Sequence, residues 1–489
     1  EYGLLLHIDA STTAAGCLFS SVTISDNTIL DGVLTLDFDG VAVTGLDVSN
    51  NLVAALDVSQ PTVERGCIDI LLENTAAHPL VGCLSSSING NQVSGAAYGI
   101  RWDAGGIFKQ RDTQINGNQI TVPREAGGGG GGDGIYYAAR TSESLLANTQ
   151  INDNQISGFY DGRNGIKVFV NIPNGLSVTG FSVSRNQLTG PHKSGPAFAS
   201  IGMSIQATSP AILSGVYIDD NVIDGDTDTA AVYPENGIAL TFPDNAGHLI
   251  TNVSVSGNAV AINPVTGDGR GVDVEFHCLD SSPYAVNNVT VDRNVVSATV
   301  AGAATYVSGI ELELTCNAKV VSASNNAIRG VFGATPGNYG LRIHHAFTED
   351  EAVDSPIEAG LWLVGVATTL GNTDLLWGAV ANPVTAVSWR NVTVSQNTIL
   401  WHATPGTLTL GDSMRGALAF SHIRDSNQIL PIVSSIIVPC WGCVISNNSL
   451  SAQKIQAPID NRSESFRGFV TKIQRAQAAW PGNSGLSST

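Results

Sequence analysis

The sequence is poor in charge, in methionine and in aromatic residues. Of 489 residues, 13% are charged, 6% are aromatic and two are Met. Lys and Arg number 23 against 42 Asp and Glu, a formal net charge of −19. A chain this acidic lacks the basic stripe that neutralises phosphates, which excludes nucleic acid as a partner and argues against anionic membrane surfaces. No secretion leader, lipidation motif or membrane-spanning run is visible. The most apolar stretch, 429–445, carries Pro431 and Pro439, so it reads as buried strands and not as a membrane span. The chain opens on strand-like GLLLHID without Met, which suggests a processed or truncated N-terminus.

Cysteine gives little chemistry. Seven is an odd number, and no small disulfide scaffold surrounds them. Cys440 and Cys443 form a CxxC, but no second pair and no His pair completes a zinc site. Their flanks read as strands, so core packing or a local disulfide is the expectation. The six-Gly run 127–132 is not followed by GK[ST], so it reads as a flexible loop and not as a phosphate loop.

What is present is a repeat. Its first half is an alternating strand, two residues, then Asn, any residue and an aliphatic. Asn stands there at 27, 51, 91, 118, 154, 186, 221, 258, 294, 326, 397 and 448. Most intervals are 24 to 40 residues; Asn326 to Asn397 is 71 and Asn397 to Asn448 is 51. The second half starts at Gly99, Gly134, Gly165, Gly202, Gly237, Gly271, Gly309, Gly340 and Gly416, with apolar residues one and three places later. Period-two alternation with one apolar face defines a half-buried strand. Val, Ile and Thr dominate these segments, which is strand chemistry. The apolar parity breaks before each Asn, so the chain turns a corner there. An inward Asn can bond the Asn above and below it and satisfy corner backbone groups.

These repeats resemble those of right-handed parallel β-helix proteins of the pectin-lyase-like superfamily. The resemblance covers about residues 22–450. It implies an all-β solenoid of about twelve coils over 1–455, with an insertion near 346–390. It carries no catalytic motif over, since this architecture serves lyases, hydrolases, epimerases, tailspikes and adhesins. Residues 456–482 read as a cap: Phe466, Ile473 and Trp480 fall at helical spacing, after Ser463 and before Pro481-Gly482. An amphipathic helix there would cover the last open coil. The tail 483–489 reads as disordered.

Stacking the Gly-led strands produces columns of outward side chains. Two places after Gly the column reads Arg101, Tyr136, Lys167, Ser204, Ala239, Asp273, Glu311, Arg342 and Leu418. Asp273, Glu275, His277, Glu311, Glu313, Arg342 and His344 fall on three successive repeats of one face. Stacked carboxylates repel, so one keeps its proton to higher pH or a cation binds. Glu275 and Glu313 one strand apart suit a glycosidase acid and base pair. Asp273 and Glu311 stand beside them, His277 and His344 could relay protons, and Arg342 could hold a hydroxyl or carboxylate. Trp362 and Trp377, in the long interval that follows, suit sugar faces or fill a core. Asp224, Asp226 and Asp228 alternate in IDGDTDT and read either as hard oxygen ligands for Ca²⁺ or as a turn of solvated acids. No other cofactor is implied.

Two functions follow from this reading. The first is an extracellular, cell-surface or particle-associated solenoid (a filament, phage-tail or injection-apparatus component) with a structural or glycan-binding role and self-assembly into trimers or filaments. The alternative is a polysaccharide-degrading enzyme, a glycoside hydrolase before a lyase, using the stacked carboxylates. A lyase needs more basic groups, or Ca²⁺, for its enolate-like intermediate.

Overall fold

The computed structural model describes residues 2–9, 17–55, 66–73, 82–95, 98–106, 109–122, 132–141, 146–158, 164–172, 177–190, 199–207, 211–224, 236–243, 249–263, 266–277, 286–299, 303–314, 317–332, 339–344, 389–403, 418–420, 440–441, 444–447 and 449–452. These residues form a right-handed parallel β-solenoid and contain no helix. Three sheets run its length, two of twelve strands and one of fourteen. Within a coil the chain passes through a Gly-led strand of sheet A, a strand of sheet B, the Asn corner, and a short strand of sheet C. One coil reads Thr266–Phe276, Val286–Asp292 and Val295–Thr299.

Each corner has the same construction. The residue before the ladder Asn takes a left-handed conformation, as at Asp153, Asp220, Gly257 and Arg293, which Asp, Asn and Gly tolerate best. The Asn then turns inward and is buried. Asn258 donates from its backbone N–H (3.1 Å) and its Nδ2 (2.9 Å) to Asn294 Oδ1. Nδ2 also donates to the Ile218 carbonyl at 2.8 Å. The pattern recurs from Asn27 to Asn397. It satisfies backbone groups that the corner removes from the sheet ladder.

The repeated Gly is explained by close approach. A Cβ on Gly99, Gly134, Gly237, Gly271 or Gly309 would collide with Ile120, Ile156, Val260, Val296 or Ile328 of sheet C. The following apolar residues point into the core, as Val272, Val274 and Phe276 do on one strand and Ile310, Leu312 and Leu314 on the next, all at 1% exposure or less. Burying each such side chain is worth roughly 1.5–3 kcal/mol. Phe242 and Phe276 stack with centroids 5.0 Å apart.

Two register expectations are corrected. Gly202 pairs with Lys167, and Ile201 with Ile166, so Ser200, not Gly202, occupies the glycine position of that coil. Leu418 pairs with Leu341, which puts it in the column of the apolar residues and not in the outward one. In both cases a nearby Gly at the wrong offset misled the count. The 71-residue interval holds no intervening coil. Trp389–Ser395 pairs directly onto Ala318–Ser324, and Asn326 Nδ2 reaches Asn397 Oδ1 at 2.9 Å. Trp362, Trp377, Asp226, Asp228, Cys278, Cys316, Cys443 and the expected helix and tail lie outside the described residues. Cys67 and Cys83 are free and buried. Burial pushes both thiols up to about 12, so they pack as small apolar groups.

Candidate functional site

Sheet A carries an acidic cluster where Thr266–Phe276 pairs with Ala303–Leu314. The register places Asp273 beside Glu311 and Glu275 beside Glu313. The next strand adds Arg342 opposite Glu311 and His344 opposite Glu313. The stacking expected for these residues is therefore present along the backbone. Asp224 lies elsewhere, exposed at the end of a sheet C strand.

The carboxylates face away from the core and yet are buried: Glu311 is 2% exposed, Asp273 5% and Glu313 8%. Their compensation comes from a residue the sequence reading passed over. Arg270 stands just before Gly271 within the strand Thr266–Phe276, outside the columns that follow the glycine. Its Nη1 donates to Asp273 Oδ2 at 2.6 Å and to Glu275 Oε1 at 2.9 Å. Its Nε lies 3.4 Å from Glu311 Oε2. Asn236 holds Arg270 by accepting its backbone N–H at 2.9 Å, and Ser308 Oγ donates to Glu311 Oε2 at 2.9 Å. Asn236, Arg270 and Ser308 are register neighbours, so tabulating this column would have revealed them.

His277 closes the cluster at its more open side. Its Nε2 lies 3.3 Å from Glu275 Oε2 and 3.5 Å from Glu313 Oε1. The side chains of His277 and Glu275 are 24% and 19% exposed, against 10% for Glu313.

Three carboxyl groups around one guanidinium, with a fourth beside His277, do not all ionise alike. Burial raises Asp273 well above the ordinary range, despite Arg270 beside it. Burial also acts to raise Glu275, but the bond from His277 and the charge of Arg270 outweigh it and hold this group below its usual value. Burial, together with the Glu275 charge, pushes Glu313 up to about 7. The charges of His277 and Arg270 also act to lower it but do not prevail. Two carboxyls that face the same imidazole thus have opposite protonation preferences near neutrality.

Ligand atoms of Glu275, His277 and Glu313 all lie within 4.8 Å of one another, close enough to meet around one cation. A set containing an imidazole suits a transition ion better than Ca²⁺, which takes oxygen ligands.

No family model matches this chain, and neither a curated protein nor a solved structure matches it.

Proposed function

We propose that this chain is a retaining glycoside hydrolase built on a pectin-lyase-like β-solenoid and acting on an extracellular or cell-surface polysaccharide. One observation carries the reading: Glu275 and Glu313, in register on adjacent strands, have carboxyl environments that push their protonation apart. Divergent neighbouring carboxyls are the pattern of an acid and nucleophile pair. Their separation, under 4.8 Å between ligand atoms, is on the side of the roughly 5 Å spacing of retaining enzymes and not of the wider inverting spacing.

In this reading Glu313 keeps its proton near neutral pH and gives it to the glycosidic oxygen as the C1–O bond breaks. Glu275, ionised and oriented by Arg270, attacks C1 and forms a glycosyl ester. Glu313, now a carboxylate, takes a proton from water, whose oxygen attacks C1 and releases Glu275. His277 positions both carboxyls. A lyase is disfavoured, because Arg270 is already committed to carboxylates of the protein.

The test is reducing-end release from a panel of neutral polysaccharides. Cleavage with retained anomeric configuration is expected. Glu275→Gln and Glu313→Gln should each lower kcat by at least about 10²-fold, and EDTA should leave the rate unchanged. Failure of wild type to cleave any substrate would reject the reading. Inactivation by EDTA would replace it with a cation at the same residues.

A second reading rests on the unbroken Asn ladder: a rigid solenoid serving as a surface, filament or tail component with glycan adhesion and self-assembly. Native mass spectrometry showing a trimer or an open polymer, with no cleavage, supports it.

A further inference from the structure

Sheet B bears a groove on three successive strands, Ile212–Asp219, Leu249–Ser256 and Val286–Asp292. Its volume is about 390 Å³, and Tyr217, Asp219, Asn252, Ser254, Thr290 and Asp292 line it. That volume falls in the range of small-molecule sites. It belongs to a different sheet from Glu275 and Glu313.

Two features of the fold create it. The successive sheet B strands from Val41–Ser49 to Trp389–Ser395 each carry one residue in the left-handed region, among them Gly215, Asn252, Asn288 and Val320. These positions drop out of the strand register, which runs from Ser214↔Thr251 to Val216↔Val253. The side chains at this column project from the sheet and bond along it: Asn288 Nδ2 donates to Asn252 Oδ1 at 2.8 Å, and Asn252 Nδ2 to Ser214 Oγ at 3.2 Å. At Gly215 there is no side chain. The Tyr217 ring lies over that glycine, with Cε2 3.4 Å and the hydroxyl 3.5 Å from where a Cβ would stand. Tyr217 is nevertheless 39% exposed. Part of the Tyr217 side chain is therefore open to solvent in the groove.

The floor beside the ring is a row of hydroxyls and carboxylates in register. Tyr217, Ser254 and Thr290 align, as do Asp219, Ser256 and Asp292. Asp219 Oδ1 accepts from Ser254 Oγ at 2.9 Å and from the Ser256 N–H at 3.0 Å. Asp292 accepts from Arg293 at 2.9 Å and from Asn325 Nδ2 at 2.8 Å. These contacts hold the acceptors in fixed positions.

We propose that this groove binds an uncharged glycan along the solenoid axis. The partly exposed Tyr217 ring in the lining suits the C–H groups of a pyranose. The fixed carboxylates, amides and hydroxyls supply both donors and acceptors for sugar hydroxyls. Three Asp against one Arg in the lining repel uronates and sulfated sugars. Strands repeat at about 4.8 Å, close to the length of one sugar residue, so neighbouring coils offer like contacts to neighbouring sugars. The inference rests on this lining and stands whether or not sheet A is catalytic.

The test uses calorimetric titration of the full chain with cellohexaose, maltohexaose and chitohexaose at millimolar concentration, with hexagalacturonate as the polyanion. At least one neutral hexasaccharide should bind and hexagalacturonate should not. Tyr217→Ala should weaken binding about tenfold or more, and Tyr217→Phe should restore most of it. Tyr217 is exposed, so the circular dichroism of Tyr217→Ala should match wild type. Overturning results are absence of binding by all three neutral sugars, preferential binding of hexagalacturonate, or binding unaffected by Tyr217→Ala. Binding lost in Glu313→Gln but kept in Tyr217→Ala would place the sugar on sheet A, which favours the hydrolase reading and rejects this one.

Discussion

Sheet A carries two charge clusters on its outward columns, and they differ in balance. Toward the N-terminus, Asp103 accepts from Arg101 at 2.9 Å and from Arg140 at 2.6 Å, and Asp69 lies 3.9 Å from Arg101. Two guanidiniums there meet two carboxylates. The Arg101 guanidinium lies 5.8 Å from the Tyr98 ring centroid, and Lys167 sits 5.7 Å from that of Tyr136. Further along, among the described side chains one guanidinium, that of Arg270, faces Asp273, Glu275 and Glu311, with Glu313 beside His277. The first arrangement is what a buried ion-pair network needs in order to break even. The second sets more carboxyls together, and burial raises Asp273 and Glu313 toward their protonated forms. The same columns on the same scaffold can therefore hold an electrically closed network or one with a proton to give.

The change that should break this contrast most sharply is Arg270→Met. It strips from the acidic cluster the guanidinium that bonds Asp273 and Glu275 and should cost about 3–5 kcal/mol. Urea unfolding at two pH values checks it: the loss should shrink on acidification, as the carboxylates take up protons. Arg101→Met should cost less, about 1–3 kcal/mol, because Arg140 still pairs with Asp103.

Glu313→Gln comes next in size. Its carboxyl titrates near 7 in the folded chain, against an ordinary value of 4.5. Between these values the folded state holds a proton that the unfolded state has released. Wild-type stability should therefore fall as pH rises through this window and level off above it. The amide removes that dependence and should stabilise the chain by up to about 3 kcal/mol above pH ~7. Glu275→Gln should behave oppositely. Its folded value is lowered, so the ionised wild type is favoured above the unfolded value, and the variant should be less stable at neutral pH.

The smallest effect calibrates the others from outside both clusters. Val320 is β-branched, 41% exposed and held at φ 58°, a strained position for such a residue. Val320→Gly should stabilise by up to about 1 kcal/mol, with no pH dependence; the same urea series measures it.

The fold was legible because its signals are local and repeated. Alternation gave the strands, and Asn and Gly recur where a corner or a close approach demands them. The register failed at Gly202 and Leu418, where a glycine near the expected place carried no such constraint. The facing pairs Asp273 with Glu311 and Glu275 with Glu313 followed from counting. Their burial did not, since alternation separates core from non-core but says nothing about what covers the outer face. Arg270 and Ser308 were missed because they precede the glycine used as the origin of the count. The groove at Tyr217 was missed because the left-handed position it depends on is filled by Gly, Asn or Val in different coils, which leaves no single letter to follow.

The central claim, that Glu275 and Glu313 hold protons differently, is tested most directly by NMR titration of ¹³Cδ-labelled glutamate in the intact chain. The account predicts one Glu carboxyl titrating near 7 that vanishes in Glu313→Gln, and another, lost in Glu275→Gln, that titrates below the ordinary range. Both carboxyls titrating together at the usual value for Glu would contradict it.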